Sequence, residues 1–141
     1  SRFVVSETGN VSEGLWTAGA AVSSTQVFVY GSLCSGEPAH GRLEGTEFLG
    51  EWWTQPRYTL LHLGAYPGLV ASGETRVRGE LYRVSAAQLR ELDFYEGHPD
   101  EFVRASIDLA PEIAAEGYLW NGNPGEGAVV ASGDWRRRLR P

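Results

Sequence analysis

Val27-Phe28-Val29-Tyr30-Gly31-Ser32-Leu33 reads as an apolar β-type run that stops at a glycine turn. A short apolar run bounded by a turn signal is the pattern of a buried strand. A strand that ends at Tyr30-Gly31-Ser32-Leu33 leaves backbone N–H groups pointing out of the sheet edge. Fixed donors of that kind can hold an anion or a developing oxyanion. Alone the stretch is not diagnostic, because any buried strand can end in a glycine turn. A later segment, Leu92-Asp93-Phe94-Tyr95-Glu96-Gly97, sets a carboxylate among apolar and aromatic neighbours. The two segments together define a candidate site.

The chain around these segments is β-rich. Gly36 to Gly41 is a loop, or at most a helical turn. Thr46 to Trp53 and Arg57 to Leu63 are expected strands, followed by a turn at Ala65-Tyr66-Pro67-Gly68. Leu69 to Ala71 and Arg76 to Val84 bracket Ser72-Gly73-Glu74, a hairpin signal. The apolar residues of Val77 to Val84 fall mostly on alternate positions, as a half-buried strand requires. The clearest helix starts at Ser85, a good N-cap, with Gln88 at capping-box spacing. Leu89, Leu92 and Tyr95 or Glu96 share one face of it, and Gly97 and Pro99 end it. Phe102 to Leu109 and Glu116 to Trp120 are further strands, with Asn121-Gly122 as a turn. The sum is an α+β domain, mainly β, with one or two short helices.

One domain is the reading for 141 residues: an N-terminal extension over 1–26 and a single domain over 27–141. The extension is low in charge and carries Phe3, Val4, Val5, Leu15 and Trp16, which fits an added strand or hairpin or a loosely held arm. It also holds Asn10-Val11-Ser12, a glycosylation sequon read as chance, because SRFVVSETGN lacks the long apolar core of a secretory signal. No window approaches the roughly 18 apolar residues of a membrane span, so no membrane partner is expected. The net charge of −6 makes the chain a poor match for a nucleic-acid backbone. Arg136-Arg137-Arg138 with Arg140 reads as a solvated C-terminal tail. Cys34 is the lone cysteine, so no internal disulfide can form and a reduced cytoplasmic setting fits. Oligomeric state is not readable, since no self-complementary apolar stripe stands out.

Glu96 leads the candidates for chemistry. On the leucine face at a helix end, it is expected to be partly desolvated, which raises a carboxyl pKa toward the range of a general acid/base. The competing reading is a helix C-terminal Glu turned to water. Asp93 is read as structural, by capping or by bonding to loop N–H groups. Ser32 does not sit in a G-x-S-x-G elbow and has no evident triad partners, so it is read as a substrate contact. Cys34 is read as a small buried thiol. His40, His62 and His98 form no metal-ligand spacing, and His98-Pro99-Asp100-Glu101 lacks a calcium-loop pattern. Trp52, Trp53, Trp120 and Trp135 are read as core or pocket wall. No metal and no cofactor are expected.

VFVYGSL, GEPAHGRL, YPGLV, GELYRVSAAQLRELDFYEG and FVR, in this order, resemble the γ-glutamylcyclotransferase-like superfamily. The likeness is nearest to the γ-glutamylamine cyclotransferase and AIG2-like groups and to the butirosin-pathway cyclotransferase. It runs from Val27 to Leu109. The resemblance implies a small mixed β-barrel with short flanking helices. It also implies a reaction in which the α-amine of a γ-glutamyl amide attacks its own γ-carbonyl and releases 5-oxoproline and a free amine. It assigns Tyr30, Gly31, Ser32 and Leu33 to binding of the glutamyl group and Glu96 to catalysis. Many relatives have Tyr where this chain has Phe102; Tyr95, Tyr118 and Tyr82 are candidates to supply that hydroxyl, and Tyr118 is counted among the substrate-binding residues. The expected partner is a small γ-glutamyl amide whose leaving amine the residues do not specify. The alternative is a non-catalytic small-molecule binding module on the same fold. An amidase with a Ser32 or Cys34 nucleophile lacks a base and an orienting group.

Overall fold

Strand β1, Ser24–Val29, starts three residues ahead of the expected boundary and runs through the middle of a five-stranded sheet. The computed structural model describes residues 24–138; the sequon and the apolar residues of the N-terminal extension lie outside them. The other strands are β2 (Glu47–Trp53), β3 (Tyr58–His62), β4 (Pro67–Thr75) and β5 (Arg78–Ser85). Helix α1 (Ala86–Glu96) follows, then β6 (Phe102–Ala110), β7 (Ile113–Trp120) and the short β8 (Ala128–Val129). The large sheet has the order β2-β5-β1-β7-β6. β1 pairs antiparallel with β5 and parallel with β7, so the sheet is mixed. The order β4-β3-β8 makes a second, antiparallel sheet.

The central position explains why VFVY is apolar throughout. Side chains alternate across a sheet. Phe28 and Tyr30 enter a core with Leu60, Leu69, Leu81, Ile107 and Trp135, drawn from both sheets. Val27 and Val29 enter another with Leu33, Val84, Leu92 and Tyr118, beneath the helix. A strand covered on both faces has no polar side to alternate with.

Three expectations change. The α+β class holds, but the strands form two sheets rather than one closed barrel. Thr54 stitches the two: its N–H donates to the Val77 carbonyl and its Oγ1 accepts the Val77 N–H, each at 2.9 Å. The hairpin signal at Ser72-Gly73-Glu74 marks a bulge inside β4, where the register jumps from Tyr58 opposite Thr75 to Thr59 opposite Val70. Gly73, at φ 134°, takes the backbone conformation that this bulge demands. β4 therefore pairs with β3, and β5 begins afresh in the other sheet. β5 itself is buried on both faces and carries Arg78 and Glu80 inside.

Helix α1 forms as the caps predict. Ser85 Oγ accepts the Gln88 N–H at 3.1 Å, and the Gln88 side chain accepts the Ser85 N–H at 2.7 Å. Gly97 closes it in the left-handed conformation at φ 70°. No helix among the described residues is long and apolar enough to cross a membrane. The arginine-rich end is not a solvated tail as far as Arg138. Trp135 is buried, Arg136 grips Asp134, and the Arg138 guanidinium lies 4.4 Å above the Trp135 ring and pairs with Glu37 at 3.3 Å. The expectation for the tryptophans holds for Trp135, while Trp53 is 40% exposed.

Candidate active site

The chain leaves the sheet at Tyr30 and turns at once. The Cys34 N–H donates to the Gly31 carbonyl and the Ala39 N–H to the Ser32 carbonyl, both at 2.9 Å. The N–H groups of Gly31, Ser32 and Leu33 form no hydrogen bond with another described residue. Gly31, Ser32 and Leu33 line a cavity of about 230 Å³, whose wall also includes Tyr30, Glu96 and Tyr118. Every residue assigned to the site from the sequence thus lines one cavity. Gly31 is required there, because a Cβ would overlap the Pro67 ring.

The loop is set from below by charge. Glu80 is 3% exposed, and its Oε1 accepts the Ser35 N–H and the Tyr82 hydroxyl, each at 2.8 Å. Its Oε2 pairs with Arg78 at 3.0 Å, and Arg78 also pairs with Glu51 at 2.9 Å. Burial works against the Glu80 charge, but the Ser35 N–H, Tyr82 and Arg78 outweigh it and hold the carboxyl below its ordinary value. Sequence reading missed this network, since an alternating polar residue in a strand reads as solvent-facing.

Glu96 arrives from the last turn of α1. Its carboxylate forms no hydrogen bond or ion pair with another described residue, and Glu96 lines the same cavity as the loop. Burial lifts its carboxyl from 4.5 to about 7; Glu101 adds to the effect and Arg42 opposes it. The desolvation does not come from Phe94, which is 89% exposed. Tyr95 and Phe102 are apolar parts of the wall instead. Asp93 is structural as expected, but through side chains: its Oδ1 accepts Arg104 Nε at 2.9 Å and the Tyr118 hydroxyl at 2.6 Å.

Both nucleophile candidates are otherwise engaged. Cys34 is buried, its Sγ points at the Val29 carbonyl at 3.4 Å, and burial with Glu80 pushes its thiol up to about 12. Ser32 Oγ lies 3.2 Å from the Tyr95 hydroxyl rather than beside a histidine or carboxylate. Phe102 is in the wall, ring to ring with Tyr66. Of the three tyrosines considered in compensation, Tyr95 and Tyr118 border the cavity; Tyr82 is committed to Glu80 below the loop. Glu101 lies on the wall, and so do Tyr66 and Pro67, which the sequence left unassigned; the Tyr66 hydroxyl donates to Glu101 at 2.9 Å. The stretch Trp52–Pro56 does not border the cavity.

Residues 27–137 match the family model described as gamma-glutamyl cyclotransferase, AIG2-like. The chain belongs to this family. A Vibrio cholerae relative with a provisional gamma-glutamylcyclotransferase name is 41% identical over 113 residues, spanning 80% of this chain and 96% of that protein. The gamma-glutamylcyclotransferase family protein YtfP of Escherichia coli is 35% identical over 114 residues, spanning 80% and 97%. Among solved structures, an AIG2-like protein from Mus musculus superimposes with a TM-score of 0.64 at 25% identity, covering 74% of this chain and 88% of that one. The family accounts for the activity class suggested by the cavity, whose wall combines the Gly31–Leu33 loop with a raised-pKa carboxylate. The named relatives support gamma-glutamylcyclotransferase chemistry as that class.

Proposed function

We propose that the protein is a γ-glutamyl cyclotransferase that converts a γ-glutamyl amide to 5-oxoproline and a free amine. One observation carries the reading: the unpaired Glu96, lifted to about 7, lines the same cavity as Gly31, Ser32 and Leu33, whose N–H groups have no other described partner. The loop donors receive the glutamyl group and the carbonyl oxygen that becomes an oxyanion. Glu96 takes the proton from the substrate's α-ammonium. The freed nitrogen attacks the γ-carbonyl, Glu96 returns the proton to the departing amine as the C–N bond breaks, and the second ammonium proton, left on the ring nitrogen, passes to the released amine through the same carboxylate. A carboxyl with a pKa near neutrality can both accept and return a proton at neutral pH. Each donor aimed at the oxyanion is typically worth about 3 kcal/mol. Holding the glutamyl chain bent supplies the entropic part of ring closure.

The test is incubation with a panel of γ-glutamyl amides, with 5-oxoproline read by mass spectrometry. Product from at least one amide, lost in Glu96→Gln, is the expected result. Product retained in Glu96→Gln sinks the assigned mechanism, and no product from any amide favours the non-catalytic binding module.

A further inference from the structure

Tyr118 is 2% exposed and borders the cavity beside Glu96. Its hydroxyl is 2.6 Å from Asp93 Oδ1. The same oxygen accepts Arg104 Nε at 2.9 Å, and Arg104 NH1 pairs with Glu116 at 3.1 Å. A carboxylate paired with a guanidinium only accepts hydrogen bonds. The single phenolic proton of Tyr118 is therefore committed to Asp93, and lone pairs are what its oxygen has left to offer. Tyr30, another phenol of the wall, uses its proton on the Tyr118 carbonyl at 2.7 Å and accepts the Leu69 N–H at 3.2 Å. The cavity wall thus combines loop residues whose N–H groups have no other described partner with two groups that can accept, Tyr118 and Glu96.

We propose that Asp93 is a positioning residue that holds Tyr118 as a hydrogen-bond acceptor, and that Tyr118 Oη and the Glu96 carboxylate together receive the substrate's ammonium group. The inference rests on the reading that a γ-glutamyl group occupies this cavity. An ammonium has several N–H bonds to place. One goes to Glu96, which removes that proton; another goes to Tyr118, which holds the nitrogen while its lone pair is uncovered toward the γ-carbonyl. The proton moves from nitrogen to Glu96, and the Tyr118–Asp93 bond is unchanged throughout. Tyr118 does not compete as a proton carrier, because burial and Asp93 push its hydroxyl far above the ordinary tyrosine value.

Calorimetric titration with L-glutamate and with glutarate, which differ only in the α-ammonium, reads this receptor without turnover. The wild-type protein is expected to prefer L-glutamate by about tenfold or more, the scale of hydrogen bonds to a charged group. Tyr118→Phe and Asp93→Asn should each reduce that preference and leave glutarate binding nearly unchanged. The double variant should lose no more than either single one, because both remove the same interaction. An intact preference in Tyr118→Phe, or losses that add in the double variant, overturns the proposal. Tyr118→Phe keeps the Asp93–Arg104 pair, so it carries the test even where Asp93→Asn does not fold. The 5-oxoproline assay on the wild type separates the two readings. Turnover without the ammonium preference sinks the receptor alone; the preference without turnover sinks the reaction alone.

Discussion

Glu96→Gln separates two consequences of one carboxylate. It removes the proton carrier, so 5-oxoproline release is expected to fall by a factor on the order of 10² or more, as for other general acid/base groups. It also removes a charge that folding must desolvate. The folded carboxyl titrates near 7 against an ordinary 4.5, so folding is favoured while Glu96 is protonated. That contribution is fully present below about 4.5 and is lost as pH rises through 7. At pH 8, thermal or denaturant unfolding should show Glu96→Gln more stable than the wild type by on the order of 2 kcal/mol. A variant less stable than the wild type at pH 8 would contradict the buried-charge account. Glu96 was legible in the sequence because capping and leucine spacing placed it on the inward face. Its surroundings were not: Phe94 lies two residues before it in the chain yet points to water, and the burial that raises its pKa is reinforced by Glu101 and opposed by Arg42.

At the scale of elements, the loop after β1 depends on two others. Pro67, at the start of β4, lies against Gly31, and Glu80, in β5, holds the Ser35 N–H. Gly31→Ala must displace the loop from the Pro67 ring, so it should weaken substrate binding and slow turnover together; unchanged kinetics would show that the loop has another resting position. Glu80→Gln leaves the buried Arg78 with only the more exposed Glu51 carboxylate as a partner and should cost roughly 3 kcal/mol in unfolding experiments. Its pH dependence has the opposite sign to that of Glu96. The Glu80 carboxyl is held low, so it stabilises the fold above its ordinary value and loses that effect as pH falls through its folded value. A Glu80→Gln cost that vanished at neutral pH and grew in acid would refute this assignment. Strand existence was readable from short apolar runs, but partner choice was not. Ser72-Gly73-Glu74 carries the same residues whether it turns a hairpin or bulges a strand. Only the long-range pairing of Thr59 with Val70 distinguishes the two.

Across the whole molecule, the C-terminal arm closes the core that the two sheets share. Trp135 is buried in that core with Tyr30, Leu60 and Leu69, and Arg138 ties the arm back to Glu37 at the edge of the loop. Trp135→Ala should destabilise the protein by about 3–5 kcal/mol, visible as a lower Tm. Arg138→Gln, at a partly buried pair, should cost less, on the order of 1 kcal/mol. A small effect of Trp135→Ala would mean that the arm is a passive cover. The most direct test of the central claim, that Glu96 moves the proton in a γ-glutamyl cyclisation, is the pH profile of kcat/KM for 5-oxoproline release. Glu96 must be ionised in the free enzyme to accept the substrate's proton, so the rate should rise with pH and level off above about 7. A profile with no inflection near 7, or one that Glu96→Gln leaves in place, would contradict it.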